Sequence, residues 1–245
     1  MKFVDCTWEI ENIGKRTCEI CYEDKEVFNE ELLKEKSNAF DYVVVKVPMN
    51  NSNINIGLSK MGFAMIETQL NISKKYKDFN FDDRLVKLLY NHVSDCIVTA
   101  EDDLNRILMK MTPDMFSTDR IYLDPHFSHD CSCRRYANWM KSEFRENRAI
   151  IKIIMYDGIE IGFGMSRGKG GISYGLLGGI YEGVQAEGYG FLTACAGFIT
   201  AHKSNNPFIK TYTSISSNNL PMLQIYNYLN FKIDSMMYVF VKHNL

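Results

Sequence analysis

Residues 185–190 read Gln-Ala-Glu-Gly-Tyr-Gly, between an apolar strand-like stretch (Ile172 to Ile180) and a helix-like one (Phe191 to His202). A strand that breaks into a glycine-spaced turn and then opens a helix leaves several backbone N–H groups aimed at one point. The positive end of the helix dipole stands behind them. Such a cradle favours a pyrophosphate. Side chains at 188 and 190 would stand between those amides and the phosphate oxygens, so Gly188 and Gly190 permit the close approach. Other phosphate motifs fall away. Gly164 to Lys169 is one residue short of a Walker spacing, and Thr193 stands where a dinucleotide fingerprint needs its third glycine.

The elements that must position this cradle follow from hydrophobic periodicity. A short strand Ile97 to Thr99 runs into an acidic start (Glu101, Asp102, Asp103) of a helix Leu104 to Met111, and a second helix covers Cys131 to Glu146. Strands follow at Ala149 to Tyr156, Ile159 to Ser166 and Ile172 to Ile180, with Asp157-Gly158 and the Gly168 to Gly171 run as turns. After the cradle and its helix come a strand Phe208 to Ile215, a helix Leu220 to Leu229 and a final strand pair through Val241.

The first third of the chain reads as a degenerate copy of its end. Val43 to Lys46, then Asn51, then Leu58 to Phe63 parallel Lys210 to Ile215, then Asn219, then Tyr226 to Phe231. The copy lacks the cradle glycines, and Leu58 stands where Tyr226 stands. A polar segment Ser73 to Asp83 and a bridging helix Leu85 to Val93 separate the copies, which places one domain at 1–93 and a second at 94–245.

Composition bounds the partners. The 245 residues carry a formal charge of -2, with basic and acidic residues scattered along the whole length, which disfavours nucleic acid or an anionic membrane as partner. The expected partner is a small molecule. No apolar run approaches the roughly 20 residues of a membrane span, and Met1 to Ile10 has no charged, apolar leader, so the expected location is cytoplasmic. Seven cysteines, an odd and scattered set, read as reduced thiols. Cys18 and Cys21 lie three apart in an alternating stretch and point to opposite faces, and His126, His129, Cys131 and Cys133 sit in or just beyond a loop, so the expectation is no metal.

The cradle after the fourth strand of the second domain, the preceding hairpins, and Asn219 followed seven positions later by Tyr226 resemble the GNAT superfamily of acyl-CoA-dependent N-acyltransferases over nearly all of 95–245. The resemblance implies an α/β (α+β) fold. A GNAT domain with a central mixed, mostly antiparallel sheet is preceded by a smaller, truncated GNAT-like domain. It implies acetyl-CoA (coenzyme A) as cofactor, with Gly178, Gly179 and Ile180 beside the pantetheine arm. Gln185, Ala186, Gly188, Tyr189, Gly190 and Phe191 would surround the pyrophosphate, with Asn219 nearby.

A thioester attacked by a neutral amine develops negative charge on the carbonyl oxygen and then on sulfur. Tyr226 suits the role of acid to the sulfur. The strand Ile172 to Ile180 holds no carboxylate to serve as base; Glu182, His126 and His129, or a chain of waters, are the candidates, with Glu182 placed in the catalytic set.

The acceptor side reads from Asp119-Arg120, Tyr122, Asp124-Pro125, His126, Arg134, Arg135, Tyr136 and Trp139. This pattern is similar to that of acetyltransferases acting on nucleotide-linked 4-amino-4,6-dideoxy sugars in surface-polysaccharide synthesis. Arginines suit a diphosphate and aromatics suit a base or sugar face. The alternatives are an acceptor that is a protein N-terminus, a polyamine or another small amine, and a domain that binds CoA without catalysis. A homodimer is compatible with this reading.

Overall fold

A computed structural model describes residues 1–183 and 188–244. The hairpins form where the sequence places them. Asp157 and Gly158, at φ 49° and 80°, join β6 (Ile150–Tyr156) to β7 (Ile159–Lys169); Gly170 and Gly171, at φ 58° and 75°, join β7 to β8 (Ile172–Ile180). Positive φ at both central residues gives the turn twist that matches the flanking strands. Before these strands come β5 (Val93–Ile97), α5 (Glu101–Lys110), α6 (Arg120–Leu123) and α7 (Asp130–Arg145). β5 starts four residues earlier than the periodicity suggests. Val93 is the residue that enters the core, whereas Ile97 is exposed.

The N-terminal third contributes β1 (Lys2–Asp5), α1 (Glu9–Ile13), β2 (Thr17–Cys21), α2 (Glu30–Ser37), β3 (Tyr42–Pro48), α3 (Ser52–Lys60), β4 (Ala64–Lys75) and α4 (Arg84–Tyr90). After β8 the chain forms α8 (Gly190–Lys203), β9 (Lys210–Ser216), α9 (Leu220–Tyr228) and β10 (Lys232–His243). The expected final strand pair is this single strand, kinked by a bulge at Asp234.

Among the described residues the strands form one mixed sheet in the order β1-β2-β3-β10-β4-β9-β8-β7-β6-β5, antiparallel except for β2 with β3 and β8 with β9. The centre of the sheet is a reciprocal exchange. β10 inserts between β3 and β4, and β4 inserts between β10 and β9, so each strand-helix-strand unit receives the last strand of the other.

The two units are copies 168 residues apart, as Asn51 and Asn219 show: β3, α3 and β4 have the same bounds as β9, α9 and β10 after that shift. The left-handed residues Gly62 and Asn230 correspond, as do the bonds from Phe63 N–H to the Leu58 carbonyl and from Phe231 N–H to the Tyr226 carbonyl. In the β4–β10 ladder Gln69 faces its own counterpart Met237, and the bulges at Ile66 and Asp234 are counterparts too. A local two-fold axis therefore passes through the sheet at Gln69 and Met237.

Helices cover both faces. α2 and α3 bury Leu33, Ile54 and Leu58 against Ile20, Val43, Val45 and Phe240, while Ile121, Phe127 and Cys131 cover Tyr42, Val44, Val239 and Val241 on the opposite face. Farther along the sheet, α4, α8 and α9 pack on Ile154 and Ile161, and α5 and α7 pack on Ile151, Ile153, Phe163 and Met165. Each buried aliphatic or aromatic side chain of this kind contributes about 1.5–3 kcal/mol. Among the described residues no helix is long and apolar enough to cross a membrane.

Candidate active site

β8 and β9 run parallel and pair only from Ile172 with Lys210 to Gly175 with Thr213. A bulge at Leu176 then redirects β8, which continues to Ile180 as a partner of β7, while β9 continues to Ser216 as a partner of β4. The two strands thus separate at their carboxyl ends. From Leu177 to Gly179, among the described residues, β8 has a sheet partner on one side, and its other edge faces the gap.

Glycines hold this geometry. A Cβ on Gly162 of β7 would lie 2.2 Å from the Gly179 carbonyl oxygen, and one on Gly179 would lie 2.8 Å from the Met115 side chain. The close β7–β8 approach therefore has no room for a side chain at Gly162, where backbone stands in the way, whereas one at Gly179 would press on the far end of Met115 and the Phe163 ring.

Beyond the gap, Tyr181 is buried and Glu182 is exposed in the turn before Gly183. Gln185 and Ala186 lie outside the described residues. Gly188 has φ 80°, a left-handed conformation suited to glycine, and Tyr189 is the cap residue ahead of α8. Gly190 opens α8 with Ile225 of α9 at ordinary contact distance from where its Cβ would stand, and Phe191 packs edge-on against Tyr228. The end of β8 therefore leads to a helix N-terminus whose first N–H groups lack intrahelical acceptors.

The end of β9 leads to α9. Asn219 caps that helix by accepting the Met222 N–H at 3.2 Å, and Pro221 suits the first turn. Asn219 thus fixes where α9 starts, seven residues ahead of Tyr226. Tyr226 is half-buried against Phe231, with ring centroids 4.7 Å apart. Burial first, and then Cys195 of α8, push its phenol up to about 12. The hydroxyl stays protonated at neutral pH, and among the described residues it has no hydrogen-bond partner. In the N-terminal unit the equivalent Leu58 is fully buried.

The residues of the acceptor pattern lie around α6 and α7, and most bind the N-terminal third. Arg135 donates to Glu9 at 2.5 Å, Arg134 donates to the Asn12 carbonyl at 2.6 and 2.9 Å, and Asn138 donates to the Asn12 side chain. Tyr136 donates to Asp119 at 2.8 Å, and Asp119 also caps α6. Arg120 lies in the field of Asp119, Tyr42, Glu19 and Glu67, and among the described residues its buried Nε has no hydrogen-bond partner. Trp139 donates to Glu143, a buried carboxylate that also receives Arg148 and Arg167. Tyr122 donates to Asp114 and stacks on His129.

Asp124 contacts His126 and His243. Burial pushes its carboxyl up, but hydrogen bonds from His243 and His126 outweigh that and hold it below the usual carboxylate range. Glu9, Asn12, Glu143 and His243 are absent from the sequence reading. Three of them partner residues more than 100 positions away, which no local spacing reveals. All seven cysteines are free thiols; Cys18 is buried in the core, while Cys21 faces Glu19 on the opposite side of the sheet.

No protein-family model and no curated protein matches the chain. Similarity appears in solved structures. A conserved protein of unknown function from Staphylococcus epidermidis aligns at a TM-score of 0.60 and 12% identity, over 94% of this chain and 85% of that one. A GCN5-related N-acetyltransferase from Kribbella flavida aligns at 0.56 and 12% identity, over 94% and 82%. Another, from Sphaerobacter thermophilus, aligns at 0.53 and 8% identity, with 82% of this chain spanning 59% of that one. The chain has the fold of GCN5-related N-acetyltransferases.

Proposed function

We propose that the chain is an N-acyltransferase that moves an acetyl group from acetyl-CoA to a primary amine, with its chemistry in 94–245 and a supporting scaffold in 1–93. The observation that carries this reading is the separation of β8 from β9 at Leu176, between the N-terminus of α8 and the helix bearing Tyr226. An amide-bearing pantetheine arm suits such a gap, because it can hydrogen-bond to an open strand edge as an added strand does. Gly178, Gly179 and Ile180 would lie along it. The pyrophosphate would sit at the start of α8, around Gly188, Tyr189, Gly190 and Phe191, with Gln185 and Ala186, which precede them in the sequence, contributing.

In this scheme the neutral amine attacks the thioester carbonyl carbon, a C–N bond forms and the carbonyl electron pair moves to oxygen. Collapse breaks the C–S bond and leaves the pair on sulfur. Tyr226 donates a hydrogen bond to that sulfur. A phenol at about 12 is a weaker acid than a thiol at about 8.5, so its main contribution is to stabilise the thiolate, and the proton lost by the amine ends on sulfur. Glu182, exposed just past β8, is the candidate to carry that proton away from nitrogen.

For the acceptor, an amino-sugar nucleotide rests on the sequence pattern around Arg120, Asp124, Arg135 and Trp139. A second reading, a polyamine, protein N-terminus or other amine without a diphosphate, is favoured by the engagement of Arg134 and Arg135 with Asn12 and Glu9. Those guanidiniums are already spent on the protein itself.

A thiol-release assay with acetyl-CoA against amino-sugar nucleotides, peptides and polyamines tests both levels. Turnover of any amine supports the transferase, and turnover restricted to peptides or polyamines selects the second acceptor class. Failure of every amine to release thiol from a chain that also fails to bind CoA would refute the transferase.

A further inference from the structure

The loop between α6 and α7 and the end of β10 bring three ligand-type side chains together. Asp124 Oδ1 lies 3.0 Å from Nδ1 of His126, and Oδ2 lies 2.8 Å from Nε2 of His243. Taking one ligand atom from each residue, all three lie within 4.8 Å of one another. We propose that Asp124, His126 and His243 bind a divalent transition-metal ion of the zinc class, at a site that joins the α6–α7 loop to the exchanged strand.

The donor set selects this class. Two imidazoles and one carboxylate form a three-ligand zinc site that leaves one tetrahedral position for water. Calcium and magnesium prefer all-oxygen surroundings and fit poorly. Metal–ligand bonds of about 2.0–2.2 Å in a tetrahedron place neighbouring donors roughly 3.3 Å apart. The Asp124 Oδ1–His126 separation of 3.0 Å is close to that, whereas the 2.8 Å contact of His243 is made by the other carboxylate oxygen, Oδ2, and widens when an ion replaces the hydrogen bond. Closing the third edge, between the two imidazoles, exchanges the Asp124–His126 hydrogen bond and the His126–His243 stacking for bonds to the ion, and the 58% exposed side chain of His126 has room for that movement.

The other two ligands are held in place. His243 lies against Tyr42 and Phe127, with ring centroids 4.8 and 5.3 Å away. Asp124 is 97% buried at its side chain, and its Oδ1 also accepts the His126 backbone N–H at 3.1 Å. Such supporting contacts orient ligands before the ion arrives. The exposed face of His126 gives the ion its path from solvent.

The neighbouring thiols do not belong to this set. Cys131 Sγ contacts Ser128 and receives a hydrogen bond from Arg134. The site therefore draws on residues 119 positions apart, 124 and 243, and it stands whether or not the chain transfers acyl groups.

The test is titration of the chelator-stripped full chain with Co2+, followed by its visible absorption and by displacement with Zn2+. The expected result is one ion per chain, the intense bands of a tetrahedral site, and a rise in Tm on saturation. His126→Gln, at an exposed position that leaves folding intact, should weaken binding by more than about 100-fold. His243→Asn should do the same, and Cys131→Ser with Cys133→Ser should change nothing. Absence of a one-to-one Co2+ complex in the wild-type chain, undiminished affinity in His126→Gln, or loss of binding in the cysteine variant would each overturn the proposal.

Discussion

The two strand-helix-strand units have the same scaffold and opposite fates at one strand. In the N-terminal unit β2 stays paired with β3 along all of Thr17–Cys21, and the Tyr22 N–H continues the ladder to the Lys46 carbonyl. In the C-terminal unit β8 leaves β9 after four pairs, at the Leu176 bulge. The closed unit carries a buried Leu58, and the open one carries a half-buried Tyr226 whose hydroxyl has no hydrogen-bond partner among the described residues. A bulge and a few glycines thus separate a scaffold from a candidate site. The exchange of β4 and β10 makes each unit depend on the other for its last strand, so the closed copy is a structural requirement of the open one.

The largest expected effect breaks the scaffold side of this contrast. Leu58→Ala removes a fully buried side chain and should cost about 2–5 kcal/mol in denaturant unfolding, with the activity per folded molecule unchanged. Its counterpart Tyr226→Phe should do the reverse. We expect kcat to fall about 100-fold, equivalent to about 2.7 kcal/mol, with CoA affinity nearly intact and unfolding free energy within roughly 0.5 kcal/mol of wild type. Equal effects of the two substitutions on turnover would remove the distinction.

The caps sharpen the same comparison on a smaller scale. Asn219→Ala should cost about 1 kcal/mol, because it removes the bond to the Met222 N–H, whereas Asn51, which makes no such bond, should cost less than about 0.5 kcal/mol.

The smallest effect concerns pH. The Tyr226 phenol moves from its usual 10.0 up to about 12 on folding. Its contribution to stability is therefore present below pH 10 and lost as pH rises through 12. A pH–rate profile should show no alkaline limb from this group below about pH 10, and a limb near pH 8 that disappears in Tyr226→Phe would contradict the assignment.

Much of the open unit is legible in the sequence, because its signals are local. β8 and α9 follow from continuous periodicity, the turn at Asp157-Gly158 follows from its dipeptide, and the strand-helix-strand copy follows from Asn51, Leu58 and Phe63 against Asn219, Tyr226 and Phe231. What escapes is long-range. Nothing near β4 announces that it will lie between β9 and β10, since both neighbours come from the far end of the chain. The polar residues of α7 read from sequence as groups for a substrate, yet Arg135 and Arg134 meet Glu9 and Asn12 across more than 120 positions. A charged side chain looks the same in sequence whether its partner is a ligand or a distant helix.

The central claim is that only the open unit receives the cofactor, and backbone hydrogen exchange with and without CoA tests it most directly. The account predicts slowed exchange at the β8 amides Leu177 to Ile180 and at the start of α8, with no change at Thr17 to Tyr22 of β2. Protection of β2, or no change at β8 under saturating CoA, would contradict it.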